Sequence, residues 1–315
     1  MNKKSLKTLS ALIGFGTLFG TLIFPTYVTA VKKDVSKAIK TLPHVKNNLK
    51  RKSTDDDLKF CKSTKKLKII NETNGYGIYN RNNNCYMNAL LQLFYNINNF
   101  RNWILNFKSF SDDNSNTQKI NAMHHLFNHI SGKKRLNLKI LNGYLKTLGH
   151  QGFQEDPQEY IQLQWSGILD LFKNKKFKNI NPNDNYIFTN PLCISEVNGN
   201  FLNLIPHTIG NQFVILLNRT LFDKGIYKKD TSPLNNINKD LLSTNGKHKY
   251  KITGAIIHSG KNIFDGHYYF YRYNNIENKW YVYNDSFVNQ VTESEVFDHI
   301  KSQSVAILYT DVSEL

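Results

Sequence analysis

The chain has 315 residues, with 41 Lys and Arg against 24 Asp and Glu, 13% aromatic residues and 3 Cys. That much apolar and aromatic material excludes disorder throughout. Three widely spaced cysteines, Cys61, Cys85 and Cys193, with no C-x-x-C pair, exclude a closed disulfide framework and a structural zinc of that kind.

The formal charge of +17 raises nucleic acid or an anionic membrane as partners, so its distribution matters. Residues 1–70 carry 16 Lys and Arg against 4 Asp and Glu, a net of +12, whereas residues 71–315 carry 25 against 20, a net of +5. Within the arm, Lys3, Lys4 and Lys7 precede an apolar run from Leu9 to Phe24, followed by Pro25 and the small-residue pattern Val28-Thr29-Ala30. This layout predicts, over residues 1–30, either a cleaved secretory signal or a retained membrane anchor. Residues 31–70 alternate Lys with Ser, Thr and Asp and sustain no period of 2 or 3.6, which predicts a basic linker. It serves as a spacer or as a tether to anionic lipid headgroups, giving residues 1–70 a route to membrane contact. No aromatics interleave with the basic residues, so nucleic acid is not an expected partner.

From residue 71 periodic segments take over. Tyr86–Asn96 places Met87, Leu90, Leu91 and Phe94 on one helical face. Asn121–Ile130, Leu136–Leu148 and Asp156–Phe172 are also predicted helices. Gln212–Leu217, Tyr250–His258, His267–Tyr273, Trp280–Tyr283 and Ser304–Tyr309 are short β-branched or aromatic runs and are predicted strands. Helices first and strands later predict an α+β fold, a helical lobe packed on an antiparallel sheet, with any reactive groove drawing on both halves.

Cys85 lies where the polar loop Asn80-Arg81-Asn82-Asn83-Asn84 meets the first helix. A thiolate there is favoured by the aligned amide dipoles, yet position alone favours a buried structural cysteine. A nucleophilic thiol needs a base. His267 opens a strand, and a hairpin centred near Ile276 sets residue 267 opposite Asp285, with Asn284 a small offset away. Either side chain there would hold the imidazole in the tautomer that a cysteine base requires.

The segment Gly77-Ile78-Tyr79-Asn80 followed by Asn82-Asn83-Asn84-Cys85-Tyr86-Met87-Asn88-Ala89-Leu90-Leu91-Gln92 resembles the cysteine box of the ubiquitin-specific proteases, G-L-x-N-x-G-N-T-C-Y-M-N-S-x-L-Q. Asn82, Asn84 and Ala89 replace the family's Gly, Thr and Ser. Asn82 is expected to take the left-handed turn and Asn84 to cap the helix. His258-Ser259-Gly260, Gly266-His267-Tyr268 and the run Trp280 to Val288 resemble the family's histidine box. Gln154-Glu155-Asp156-Pro157-Gln158-Glu159-Tyr160 resembles its Q-Q-D-x-Q-E-F box, and Phe213 to Arg219 its central strand L-x-L-x-R-F.

These boxes occur in family order between residues 77 and 309. The resemblance implies a papain-like thiol hydrolase with a helical thumb, a sheet palm and a catalytic domain over residues 71–311. It also implies a thiol-dependent deubiquitinase acting on ubiquitin and ubiquitinated proteins, with Cys85 as nucleophile, His267 as base and Asn284 as its orienter, Asp285 being a partner or substitute. Asn80 would support the oxyanion, and Gln154, Asp156, Glu159 and Tyr268 would hold the substrate, Asp156 and Glu159 by gripping ubiquitin's basic tail. Asp156 as N-cap, Pro157 at N1 and Glu159 at N3 also form a local capping pattern. The alternative is a catalytically weak, membrane-tethered module binding ubiquitin or a ubiquitin-like modifier. No cofactor or metal is expected, and the working state is a monomer. Leu171 to Pro206 holds only Cys193 where many relatives carry zinc-bearing fingers, so reduced, zinc-free fingers are expected. His124, His125 and His129 share a predicted helix without a carboxylate or cysteine to complete a metal site. A ubiquitin-directed enzyme carrying such an arm would be secreted, for example into a host cell, or membrane-anchored with its catalytic domain facing a ubiquitin-containing cytosol.

Overall fold

The computed structural model describes residues 75–107, 114–173, 191–200, 210–235, 237, 240–242, 246, 248–263 and 265–315, all within the unit Lys66–Leu315. The signal or anchor expected over residues 1–30 and the linker over 31–70 lie outside the described residues, as does most of the fingers interval. Among the described residues no helix is long and apolar enough to cross a membrane.

The helical half comprises α1 (Cys85–Asn96), α2 (Asn98–Leu105), α3 (Ser115–Ile130), α4 (Leu138–Thr147), α5 (Pro157–Tyr160), a π-turn (Ile161–Trp165) and α6 (Ser166–Lys173). Helix α1 is buried on every side from Cys85 to Phe94. It packs on β7, β6 and β8 of the sheet described below and on α2 and α3. A helix enclosed in this way needs apolar residues all round, and its polar exceptions must find partners inside the protein. The predicted helix Asp156–Phe172 divides into α5, the π-turn and α6, while α3 starts earlier than predicted because the Asn114 side chain caps Thr117 N.

After β1 (Leu192–Cys193) and α7 (Ile194–Asn200) the chain enters the sheet through β2 (Gln212–Asn218). A separate hairpin follows, β3 (Thr220–Asp223) and β4 (Ile226–Lys229), and then β5 (Asp240–Leu242), β6 (Lys249–Ser259), β7 (His267–Asn274), β8 (Lys279–Asn284) and β9 (Phe287–Val291). Helix α8 (Glu293–Gln303) precedes β10 (Ser304–Asp311), and a 3-10 turn (Val312–Glu314) ends the chain. The sheet runs β1-β2-β10-β6-β7-β8-β9, with β5 beside β6. All its pairs are antiparallel except the two-residue edge β1, which runs parallel to β2. The sheet is therefore mixed rather than purely antiparallel.

Both sheet faces are covered. Val214, Leu216, Ala306 and Leu308 face the helices, and Phe213, Ile215, Ile307 and Tyr309 face the second core under α8. Burial on both faces explains why β2 and β10 are continuous apolar runs without polar alternation. With helices packed on one large sheet, the protein has an α+β fold.

Candidate active site

Three elements meet at the candidate site. Cys85 is the first residue of α1 and is 2% exposed; His267 opens β7; Asn284 closes β8. The β7–β8 register pairs Phe270 with Tyr283 and Asn274 with Lys279, one residue away from the register that would set 267 opposite 285. That offset gives Asn284 the direct contact: His267 Nε2 donates to Asn284 Oδ1 at 2.6 Å, whereas Asp285 Oδ2 lies 3.7 Å from Nε2. With Nε2–H committed to an amide oxygen, Nδ1 is left for the thiol. The hydrogen bond to Cys85 is the largest influence on His267 and pushes its imidazolium up to about 9, opposed by burial and helped by Asn284 and by the charges of Cys85 and Asp285.

Asp285 serves the loop before Cys85. Its backbone is left-handed, at φ 51°, and its carboxylate accepts from Asn88 Nδ2 at 2.8 Å and from Asn80 Nδ2 at 3.0 Å. Burial raises its pKa, and these two bonds work against that rise. Ile78 N donates to Asp285 O at 2.8 Å, and a Cβ on Gly77 would lie 2.2 Å from the same oxygen. Only glycine permits that approach.

Asn84 precedes the helix but makes no side-chain cap, contrary to expectation. Its Oδ1 accepts from Arg81 N and its Nδ2 donates to Tyr79 O and Asn88 Oδ1, so it braces the loop instead. The left-handed residue is Asn83, at φ 58°, and not Asn82. Asn80 Oδ1 accepts from Asn84 N at 3.1 Å, which fixes the amide beside the start of α1. Asn88, which sequence reasoning gave no role, joins Asn84, Ile78 O and Asp285. Its signal was an amide on an otherwise apolar helical face.

Beside Cys85, His267 and Asn284 a groove of about 580 Å³ is lined by Gln154, Glu155, Asp156 and Glu159 and by Lys229, His258 and Tyr268. Asp156 caps α5 by accepting from Gln158 N at 2.8 Å and Glu159 N at 3.2 Å, with Pro157 at N1, as the capping pattern predicts. Gln158, also missed, is buried and donates to Leu217 O and Val305 O, fastening the acidic turn to β2 and β10. Tyr268 is 3% exposed and stacks on His258, with ring centroids 4.4 Å apart; burial raises its hydroxyl pKa, and the charges of Asp156 and Cys85 add to the rise. Tyr268 thus offers the groove a packed wall more than a free side chain.

The helix histidines turn to structure. His129 donates from Nε2 to Gly77 O at 3.2 Å and accepts from Leu136 N, and His125 stacks on Tyr144. Among the described residues no group of three or more His, Cys, Asp or Glu gathers as a metal site.

A cysteine at a helix start, a histidine and an asparagine on adjoining strands, and a helical lobe on a sheet together define the papain-like cysteine peptidase class. The sequence profile of the ubiquitin carboxyl-terminal hydrolases matches residues 76–309, and the chain belongs to that family. Its fold is similar to Ubp8 in the SAGA DUB module with Sgf11, Sus1 and Sgf73. One such structure has a TM-score of 0.58 at 16% identity, covering 81% of this chain and 72% of that one. Another has a TM-score of 0.54 at 18% identity, covering 81% and 71%. No curated protein sequence matches the chain.

Proposed function

We propose that the chain is a thiol-dependent deubiquitinase that hydrolyses the peptide or isopeptide bond at ubiquitin's C-terminal Gly. The observation that carries this reading is that Cys85, at the start of α1, shares a site with His267, whose Nε2 is hydrogen-bonded to Asn284 Oδ1 at 2.6 Å. In this reading the Cys85 thiolate attacks the Gly carbonyl carbon, and the imidazolium of His267 gives its proton to the departing amine, leaving a thioester. His267 then takes a proton from water as the hydroxide adds to the thioester; the C–S bond breaks, returning the Cys85 thiolate beside the His267 imidazolium, and ubiquitin leaves as a carboxylic acid that gives its proton to solvent. Asn284 holds the ring throughout. The tetrahedral oxyanion is met by the free N–H groups that begin α1 and by the second Nδ2 hydrogen of Asn80, the first being committed to Asp285.

The acidic wall formed by Glu155, Asp156 and Glu159 suits a basic, extended substrate tail, with Gln154 and Tyr268 completing the groove. Residues 1–70 act as an address, by secretion or by attachment to a membrane, and the enzyme works as a monomer. The test is release of a fluorophore amide-linked to ubiquitin's C-terminus. Wild type should turn it over, and C85A and H267A should each lose orders of magnitude in kcat. Binding of ubiquitin by folded wild type without cleavage would replace this reading with that of a binding module.

A further inference from the structure

Lys229, at the end of β4, lies outside the Cys85–His267–Asn284 line, and the proposed chemistry gives it no task. It is buried, and its Nζ donates to His258 O at 2.6 Å and to Gly260 O at 2.8 Å. Those carbonyls flank Ser259, and Ser259 is the ladder partner of His267. Among the described residues, β10 ends its pairing with β6 at Ser304 and Ile257, so the last residues of β6 pair only with β7. The ammonium supplies donors where strand pairing has ended.

On the other side of this rung the backbone closes on itself. A Cβ on Gly266, at φ 149°, would lie 2.5 Å from His258 Nε2 and 2.7 Å from Ser259 O. Lys229 is itself held in place by Arg219, which donates to Asp230 O, Ser232 O, Ser304 O and Lys301 O, while Asp230 N donates back to Arg219 O at 2.7 Å. Burial, then the Arg219 charge, pull Lys229 down to about 8, which still leaves it mostly protonated at neutral pH.

We propose that Lys229 is a positioning residue for the reaction: from the groove wall its ammonium clamps the end of β6 at the rung that carries His267, and so sets how the imidazole meets Cys85. The kinetic part rests on the deubiquitinase reading; the clamp itself does not. Met in place of Lys229 keeps the side chain's approximate length but leaves both carbonyls to water and the rung free to fray.

The full chain as wild type, K229M and K229R would be compared by amide hydrogen exchange and by alkylation of Cys85 with iodoacetamide at pH 7, a reagent too small to need the groove. In K229M, peptides covering Ser259 to Tyr268 should exchange about tenfold faster while α1 and β2 stay protected. Alkylation should slow about tenfold as the imidazolium loses its hold on the thiolate. kcat on the ubiquitin amide should fall in parallel, and K229R, which keeps a cation, should recover most of each loss. Exchange and alkylation unchanged in K229M would overturn the proposal, and so would faster exchange spread over the whole sheet. K229Q carries the same readouts if the methionine variant does not fold. A folded wild type that leaves ubiquitin uncut, with K229M slackened at the rung, would defeat the deubiquitinase reading and leave the clamp standing.

Discussion

Asp285 and Asn284 are neighbours with different work. Asn284 meets the imidazole, while Asp285 gives its two oxygens to Asn80 and Asn88 and its carbonyl to Ile78 N. D285A leaves two amide donors without their acceptor, at a cost of about 1–3 kcal/mol. It should lower both Tm and kcat, measured by thermal denaturation and by ubiquitin-amide turnover. N284A should behave differently. The Asn284 bond helps push His267 up to about 9, so the alkaline limb of kcat/KM, expected near that value, should move down when the bond is removed. A parallel sign holds for stability: the protonated His267 stabilises the folded protein fully below its ordinary value near 6.5, and that contribution fades as pH rises through about 9. A pH profile of kcat/KM for wild type and N284A checks the first statement, and Tm against pH checks the second.

The placing of Cys85, His267 and Asn284 together is legible in the sequence because a helix start and a hairpin are local features, and the hairpin register differs from the expected one by one residue. Asn88, Gln158 and Lys229 were not assigned. Their partners, Asp285, Leu217 and Val305, and His258 and Gly260, lie far along the chain or in a loop whose path no local pattern fixes.

Elements followed the same logic. β2 and β10 were found by their apolar runs, and α1 by its period. α8 was missed although Thr292 and Glu295 spell a capping box, and the Thr292 side chain does accept from Glu295 N. The β3–β4 hairpin was missed too, although Lys224 and Gly225 both take positive φ at its turn. T292A should therefore destabilise the protein by about 1 kcal/mol with kcat unchanged, as read by urea denaturation beside turnover. Gly77 lies where two segments cross rather than within an element. G77A must push the chain away from Asp285 O, so kcat should fall more than about tenfold, because the loop that carries Asn80 moves with it. Steady-state kinetics on the ubiquitin amide measure that loss.

Across the whole molecule the charge separates into two parts. The +12 on residues 1–70 leaves +5 over the remaining 245, too dilute to suggest a polyanion as substrate. A chain shortened to residues 71–315 should keep kcat/KM within about twofold, since every site residue among the described residues lies beyond the arm. The full chain should bind vesicles containing anionic lipid and the shortened one should not; sedimentation with such vesicles compares them. The most direct test of the central claim is covalent capture: wild type reacted with ubiquitin bearing a C-terminal electrophile, and the adduct mapped by mass spectrometry. The adduct should lie on Cys85, vanish in C85A and form slowly in H267A. Labelling that persists in C85A, or a folded wild type that takes no label, would contradict it.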